Sequence, residues 1–292
     1  MSSPDELAAA VGRVVGARVT GLEPVTGGDT NRAYRMTLAN GERVFVKTSG
    51  ESPAGSFTVE AAGLEWLRET HTVRVPEVRA VQDTADGADP RFLVLEWVET
   101  TRRDGSCDEQ LGRALAALHR FGAPGFGLDH DNVIGPLPQS NAPLPTWADF
   151  WAQRRLLPLA RRAVEIGRLP ADAFGVFDRL AGRIDTLAGP EEPPARLHGD
   201  LWAGNAIADR SGQPWLVDPA VYGGHREVDL AMMRLFGGID DRCFAAYEEV
   251  HPLADGWRER VGLWQLYPLL VHAVLFGGGY GASALRVARR YL

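Results

Sequence analysis

The chain has 292 residues, 38 acidic and 31 basic for a net charge of -7, and only two cysteines, Cys107 and Cys243. That length can bury a large core and build two lobes, while the acidic balance argues against nucleic acid as a partner and mildly favours cationic amines. Two cysteines are too few for a disulfide framework, so a reducing cytoplasm is the expected compartment, and the first residues lack the basic and apolar regions of a signal peptide.

In chain order, Ser3-Pro4-Asp5-Glu6 predicts a helix N-terminus, with Ser3 as cap and Glu6 completing a capping box. Strands are expected over 17–26 and 33–38, flanking the glycine loop Gly27-Gly28-Asp29-Thr30-Asn31, and Asn40-Gly41 signals a two-residue hairpin into a third strand over 42–48. On that strand Phe45 and Lys47 share one face and Val44 and Val46 the other, so it can pack a core and still present Lys47. A helix follows, with Ser56 as its cap and Glu60 one turn in, where it can pair with Lys47. Each residue also has a plainer reading, since a strand-end lysine is usually a solvated charge and a first-turn glutamate usually complements the helix dipole.

Residues 83–90 read as a polar hairpin loop and 136–145 as a proline-rich surface connection. A strand over 91–97 should end at a hinge, where backbone groups of Glu96, Trp97 and Val98 would meet a nucleotide base. Helices are expected over 108–121, 147–167, 171–187, 227–236, 241–250 and 256–276. The apolar run over 263–280 is interrupted by Pro268, His272 and consecutive glycines, which favours a buried helix over a membrane span. Cys107 at a helix start reads as an incidental thiol. The fold class that results is α+β, with a small antiparallel-sheet lobe over 1–98 and a mainly helical lobe over 99–292.

The chemistry is concentrated in His198-Gly199-Asp200-Leu201-Trp202-Ala203-Gly204-Asn205, followed by Asp218-Pro219-Ala220 after a short predicted strand. Phosphoryl transfer needs a carboxylate beside the accepting hydroxyl and oxygen ligands for Mg2+ on the nucleotide phosphates. Asp200 is the candidate for the first role, and Asn205 and Asp218 for the second. Gly27, Gly28, Asn31, Lys47 and Glu60 are the candidate ATP-phosphate residues. An Asp-Gly-Asn loop alone is an ordinary polar turn, but the ordered succession from glycine loop to metal aspartate is harder to obtain by chance. Protein kinases use this layout, and His-Gly-Asp in place of His-Arg-Asp points to the small-molecule kinases that share their fold. His198 is expected to fix the loop through backbone hydrogen bonds, and Asp229 to buttress it through backbone N–H groups.

With these residues in place, the chain resembles the fructosamine kinase (ketosamine 3-kinase) family, related to aminoglycoside and choline phosphotransferases. The resemblance rests on Thr26-Gly27-Gly28-Asp29-Thr30-Asn31, on Trp202 within the catalytic motif, on the segment from Tyr222 to Ala231 leading to Phe236-Gly237-Gly238, and on Leu275-Phe276-Gly277-Gly278-Gly279-Tyr280. It implies a bilobal protein-kinase-like fold and ATP-dependent phosphorylation of the 3-hydroxyl of a ketosamine, the sugar adduct formed on amines by glycation. The 3-phosphate is unstable and sheds the amine, so the implied role is deglycation repair. Trp202 either stacks on the sugar or its carrier or packs the core; His225 and Glu227 either contact substrate or pin their loop; His272 is either a core histidine, the favoured reading, or a substrate contact. Family members often carry cysteine where this chain has Asp29, so no redox switch is expected there, and Asp29 should point away from the phosphates. Rival readings are a kinase for another hydroxylated amine, such as an aminoglycoside or choline, and an ATP-binding pseudokinase acting as an interaction module.

Overall fold

The computed structural model describes residues 3–25, 32–49, 52–84 and 90–292; the glycine loop with Gly27, Gly28, Asp29 and Asn31 lies outside the described residues, as does most of the predicted 83–90 loop. Helix α1 (Pro4–Val15) forms as its sequence dictates. Ser3 Oγ accepts from the Glu6 N–H, the Glu6 carboxylate accepts from the Ser3 N–H, and the helix ends at Gly16 in the left-handed region.

An antiparallel sheet takes the order β1-β2-β3-β5-β4, from β1 (Val19–Val25), β2 (Arg32–Leu38), β3 (Arg43–Thr48), β4 (Val78–Gln82) and β5 (Phe92–Glu96). Leu7, Ala10 and Val11 of α1 cover one sheet face, against Met36, Val44, Val46, Phe92 and Val94. The alternation read for β3 therefore holds, and its other face is free to carry Phe45 and Lys47. The β2–β3 turn differs from the expected two-residue form. Leu38 and Glu42 still pair, and Gly41, at φ 83, ends a three-residue turn whose Asn40 Oδ1 accepts from the Glu42 N–H.

Helix α2 (Ser56–Arg68) corrects a second expectation. Its N-cap is Gly55, and Ser56 Oγ donates to the Pro53 carbonyl. The cap comes instead from Asp83, whose Oδ2 accepts from the Phe57 N–H at 2.7 Å and the Thr58 N–H at 3.2 Å. No local pattern announces a cap supplied from so far along the chain.

Beyond β6 (Thr100–Thr101) the chain is mainly helical. Helix α3 (Gly105–Phe121) starts earlier than expected because Asp104 caps it, accepting from the Ser106 and Cys107 N–H groups. The segment over 136–145 lies partly at the surface, as expected, but is not an open connection: β7 (Asn132–Ile134) and β8 (Leu137–Gln139) form a hairpin, and Gln139 and Asn141 are buried. The reason is Arg155, which is buried, stacks 3.9 Å from the Tyr222 ring centroid and donates to the Ser140 carbonyl and to Asn141 Oδ1, both at 2.6 Å.

Arg155 belongs to a π-helical turn, Trp151–Leu156, between α4 (Trp147–Phe150) and α5 (Leu157–Glu165), so the helix expected over 147–167 is continuous but widened in its middle. That expected over 171–187 is divided into α6 (Phe174–Ala181) and α7 (Ile184–Leu187). Short strands β9 (Ala195–Leu197), β10 (Ala206–Asp209), β11 (Pro214–Leu216) and β12 (Tyr222–Gly224) then frame the catalytic motif. Helices α8 (Glu227–Leu235), α9 (Asp241–Val250) and α10 (Trp257–Phe276) follow close to expectation, and an unforeseen α11 (Tyr280–Arg289) closes the chain. Pro268 sits inside α10 without ending it, and the glycines after Phe276 do. No helix among the described residues is long and apolar enough to cross a membrane.

The sheet and the helices are not separate cores. Phe57, Leu64 and Leu67 of α2 and Leu93 and Leu95 of β5 pack in one cluster with Leu111, Leu115, Met233, Phe244 and Trp257 of the helical part. Within it α3 approaches α9 so closely that a Cβ on Gly112 would lie 2.0 Å from the Cys243 carbonyl oxygen. Gly112→Ala should therefore cost about 3 kcal/mol, at the upper end of overpacking penalties, read as a lower urea midpoint at unchanged slope. A midpoint equal to the parent's would mean that the two helices slide apart freely.

Candidate active site

Lys47 is delivered by β3 to the point where α2 and the Asp218 loop meet. Its Nζ lies 2.9 and 3.0 Å from the two Glu60 carboxylate oxygens and 2.8 Å from Asp218 Oδ1. Burial alone would push the lysine pKa down, but the summed pull of Asp218 and Glu60 outweighs it and holds the ammonium above its ordinary value. Glu60 is raised, chiefly by burial, with Lys47 opposing. The solvated lysine and dipole-complementing glutamate of the plainer reading are thus replaced by a three-group cluster around a buried lysine, with Asp218 on its open side.

The loop that carries Asp200 is built on Asp229. From the first turn of α8 its carboxylate accepts from the His198 N–H at 2.8 Å and the Gly199 N–H at 2.9 Å, and from His119 Nε2 at 3.2 Å. Burial works against this charge, but His119 and the loop N–H groups hold the Asp229 pKa below the ordinary carboxylate range. His198 Nε2 donates to the Val217 carbonyl at 3.0 Å, leaving Nδ1 to accept from the Asp200 N–H at 3.3 Å. Burial lowers the His198 pKa, in keeping with the uncharged ring this pattern needs. Gly199 stands at φ 84, where a Cβ would lie 2.0 Å from the Ala220 carbonyl oxygen, which is the physical reason for glycine between His198 and Asp200.

Asp200 and Asn205 converge as their spacing suggested. Asn205 Nδ2 donates to the Asp200 carbonyl at 2.9 Å and approaches its Oδ2 at 3.4 Å, leaving the amide oxygen as an acceptor. Burial, with Asp218 and Asp229 nearby, raises the Asp200 pKa to about 7 against a lowering contribution from Asn205. Asp218 itself adopts φ 55, a left-handed conformation that aspartate tolerates better than most residues. The loop that carries it is strapped from behind: Gln139 Nε2 donates to the Ala220 carbonyl and Asn132 Nδ2 to the Val221 carbonyl.

Lys47, Glu60, Asp200, Asn205 and Asp218 line a cleft of about 700 Å³ that is also lined by Trp202, Phe236, His272, Phe276 and Tyr280. Trp202 is 39 % exposed, lies over Gly204 and meets Phe236 edge-on at 6.2 Å, so it belongs to the cleft wall and not to the core. His272, expected in the core, is also on this wall, its Nδ1 donating to the Pro268 carbonyl at 2.8 Å.

His225 and Glu227 are not brought to the cleft. His225 is buried between Trp147 and Trp264, and Glu227 accepts from the Arg260 guanidinium at 2.5 and 2.9 Å and from Trp264 Nε1 at 2.9 Å, which pins α8 to α10. Their candidacy as substrate contacts is corrected to a scaffold role. Glu96 ends β5 and Trp97 and Val98 follow it, but none of the three lines this cleft. The Glu96 N–H already donates to the Glu77 carbonyl at 2.8 Å, so it is not available to a base.

Sequence reasoning missed Phe236 and Phe276 as cleft residues. Each stands at a helix end and is followed by two glycines of positive φ, Gly237 and Gly238 at 68 and 84, Gly277 and Gly278 at 70 and 59. The repeated Phe-Gly-Gly was the visible signal: two helices stopped abruptly so that a phenylalanine is left facing the cleft.

The raised Asp200 pKa has a thermodynamic consequence. The folded state keeps a proton that the unfolded chain releases near 3.8, so Asp200 costs stability progressively as pH rises from about 4 to about 7, and fully above. Asp200→Asn should therefore melt higher than the parent at pH 8, with the difference vanishing near pH 4. An equal shift at both pH values would contradict the buried, charge-crowded carboxylate.

The comparisons agree over nearly the whole chain. The model of the fructosamine kinase family matches residues 5–292. A probable ketoamine kinase of Synechocystis is 39 % identical over 281 residues, covering 94 % of this chain and 91 % of its own. The chloroplastic protein-ribulosamine 3-kinase of Arabidopsis thaliana is 33 % identical over 280 residues, covering 94 % of this chain and 83 % of its own. The crystal structure of a candidate fructosamine-3-kinase from Thermobifida fusca superposes with a TM-score of 0.90 at 41 % identity, covering 99 % of both chains. The fold is protein-kinase-like, as the sequence implied, and the chain belongs to the fructosamine kinase family.

Proposed function

We propose that the protein is an ATP-dependent kinase of ketosamines that phosphorylates their 3-hydroxyl, with Asp200 as the residue that orients this hydroxyl and accepts its proton. The observation that carries the reading is the convergence of Lys47, Asp200, Asn205 and Asp218 in one cleft that is also lined by aromatic residues, Trp202 among them. Membership of the fructosamine kinase family supports the acceptor class.

The donor set suits magnesium. Asp218 and Asn205 offer hard oxygen atoms on neighbouring loops, and no group of three or more His, Cys, Asp or Glu residues able to hold a metal is present among the described residues. That is the sparse protein contribution magnesium usually takes, one or two carboxylates with phosphate oxygens completing the shell. When bound, the ion neutralises charge on the phosphates. Lys47, with its charge secured by Glu60, is placed to share that task once phosphate oxygens compete with Asp218 for its protons.

In the reaction the acceptor oxygen forms a bond to the γ-phosphorus, the bond from phosphorus to the departing ADP oxygen breaks, and the hydroxyl proton passes to Asp200. Because the transition state is loose, alignment contributes more than base strength. The protein need only hold the hydroxyl in line and exclude competing water. Glu96, Trp97 and Val98 remain our candidates for the adenine contact, through the Glu96 carbonyl and the backbone of the next two residues, and Gly27, Gly28 and Asn31 for the phosphates.

The test is turnover of fructosyl-lysine and ribulosyl-lysine with ATP and magnesium. Asp200→Asn should lower kcat by roughly 10²- to 10⁴-fold, and chelation should abolish turnover. Phosphorylation of an aminoglycoside or choline with both ketosamines inert would overturn the acceptor assignment.

A further inference from the structure

Asn205 stands in a turn that is too short to hold itself. The 3-10 turn Ala203–Asn205 is three residues long and has no side-chain cap. It is tied back by the Asn205 N–H, which donates to the Trp202 carbonyl at 3.0 Å, and across by the Val217 N–H, which donates to the Asn205 carbonyl at 3.0 Å. A lone 3-10 turn has poor hydrogen-bond geometry, yet a magnesium ligand has to be placed closely, because the ion demands a near-ideal octahedron.

The missing support comes from Arg103. Strands β6 and β10 run antiparallel with Thr100 opposite Asp209 and Thr101 opposite Ala208, and that register carried two residues further sets Arg103 opposite Ala206. The strand stops short, and the Arg103 side chain takes over the pairing. Its Nη1 donates to the Ala206 carbonyl at 2.6 Å and to the Ala203 carbonyl at 3.0 Å, so the two bonds bracket Asn205. Its Nη2 donates to the Gly238 carbonyl, which joins the turn to the Phe236-Gly237-Gly238 segment. Gly238 stands at φ 84, and a Cβ there would lie 2.9 Å from that of Ala203. The guanidinium is anchored in turn by Asp108, buried at the start of α3, whose Oδ1 lies 2.5 Å from Arg103 Nε and whose Oδ2 accepts from the Asp240 N–H at 2.7 Å, at the start of α9. One side chain thus serves three carbonyls and a carboxylate, a set that a lysine, with three donors on a compact charge, does not reproduce. Arg103 does not line the cleft.

We propose that Arg103 is a positioning residue for magnesium. From outside the cleft it fixes the turn so that the Asn205 amide oxygen faces the ion while Asn205 Nδ2 stays on the Asp200 carbonyl. The inference rests on the assignment of Asn205 and Asp218 to magnesium made above. The charge of Arg103 gives the test its sign. By Coulomb's law alone, removing a cation near the site strengthens the binding of another cation, whereas removing the support of a metal ligand weakens it.

The experiment measures Mn2+ binding to the full chain by EPR, in the presence of the β,γ-imido analogue of ATP. Arg103→Met should weaken binding roughly 10- to 100-fold, the usual cost of removing an outer support of a metal ligand, with Arg103→Lys between it and the parent. In turnover of fructosyl-lysine the half-saturating magnesium concentration should rise by the same factor, and kcat should recover at high magnesium. Leu180→Ala, which truncates the core in α6 and does not touch the cleft, should lower Tm and move neither value. Mn2+ bound by Arg103→Met as tightly as by the parent or tighter, or a loss that Leu180→Ala matches, overturns the positioning role alone; where Arg103→Met does not fold, parent-like binding by Arg103→Lys does the same. Binding unchanged in Asn205→Ala overturns the magnesium assignment and this inference with it.

Discussion

The Lys47 ammonium, shared between Glu60 and Asp218, is the interaction on which the architecture of the site depends. It ties the central strand of the sheet, the helix behind it and the Asp218 loop of the helical part to one charge. A buried ammonium is costly unless paired, so each carboxylate is held close by the cost of leaving the lysine alone. The same demand explains the surroundings. Asp83 caps α2 from a distance and so fixes the turn from which Glu60 projects, and the Leu93 and Leu95 face of β5 joins the helical core beneath. The cleft is thereby a single mechanical unit, although its walls come from two kinds of secondary structure.

A second constraint is electrostatic. Asp200, Asp218 and Asp229 lie near enough to raise the Asp200 pKa, yet each is handled differently. Asp229 spends its charge on backbone N–H groups and His119, and Asp218 is balanced by Lys47. Asp200 is left with only an amide beside it. A site so arranged accumulates negative potential that a magnesium ion would relieve, and the carboxylate it leaves uncompensated is the one we propose for the acceptor hydroxyl.

Much of this was legible in the residues because the signals are local. The capping box at Ser3 and Glu6, the alternation on β3, and the short separations among Asp200, Asn205 and Asp218 are each set by a few neighbouring side chains. What escaped was set by distant ones. Ser56 looked like a cap, but Asp83 takes that role across the fold. The segment over 136–145 read as a surface connection because its prolines are visible, while the pull of buried Arg155 on Ser140 and Asn141, which draws part of it inward, is not. His225, Glu227 and His272 show the same limit. All are polar residues in apolar company, and only the position of Arg260 and Trp264 decides that the first two are buried scaffold while His272 opens onto the cleft. The Phe-Gly-Gly segments were conspicuous as a motif, but their meaning depends on where two helices end in space.

In the proposed reaction the geometry around Asp200 presents one particular hydroxyl of a ketosamine to the γ-phosphate. The most direct measurement is the position of the phosphate in the product, by two-dimensional 31P–1H NMR of the fructosyl-lysine reaction under magnesium and ATP. The account predicts a phosphorus resonance coupled to the proton on carbon 3, followed by loss of that signal as free lysine appears. A stable product with phosphorus coupled to the protons of carbon 6 or carbon 4 would contradict it.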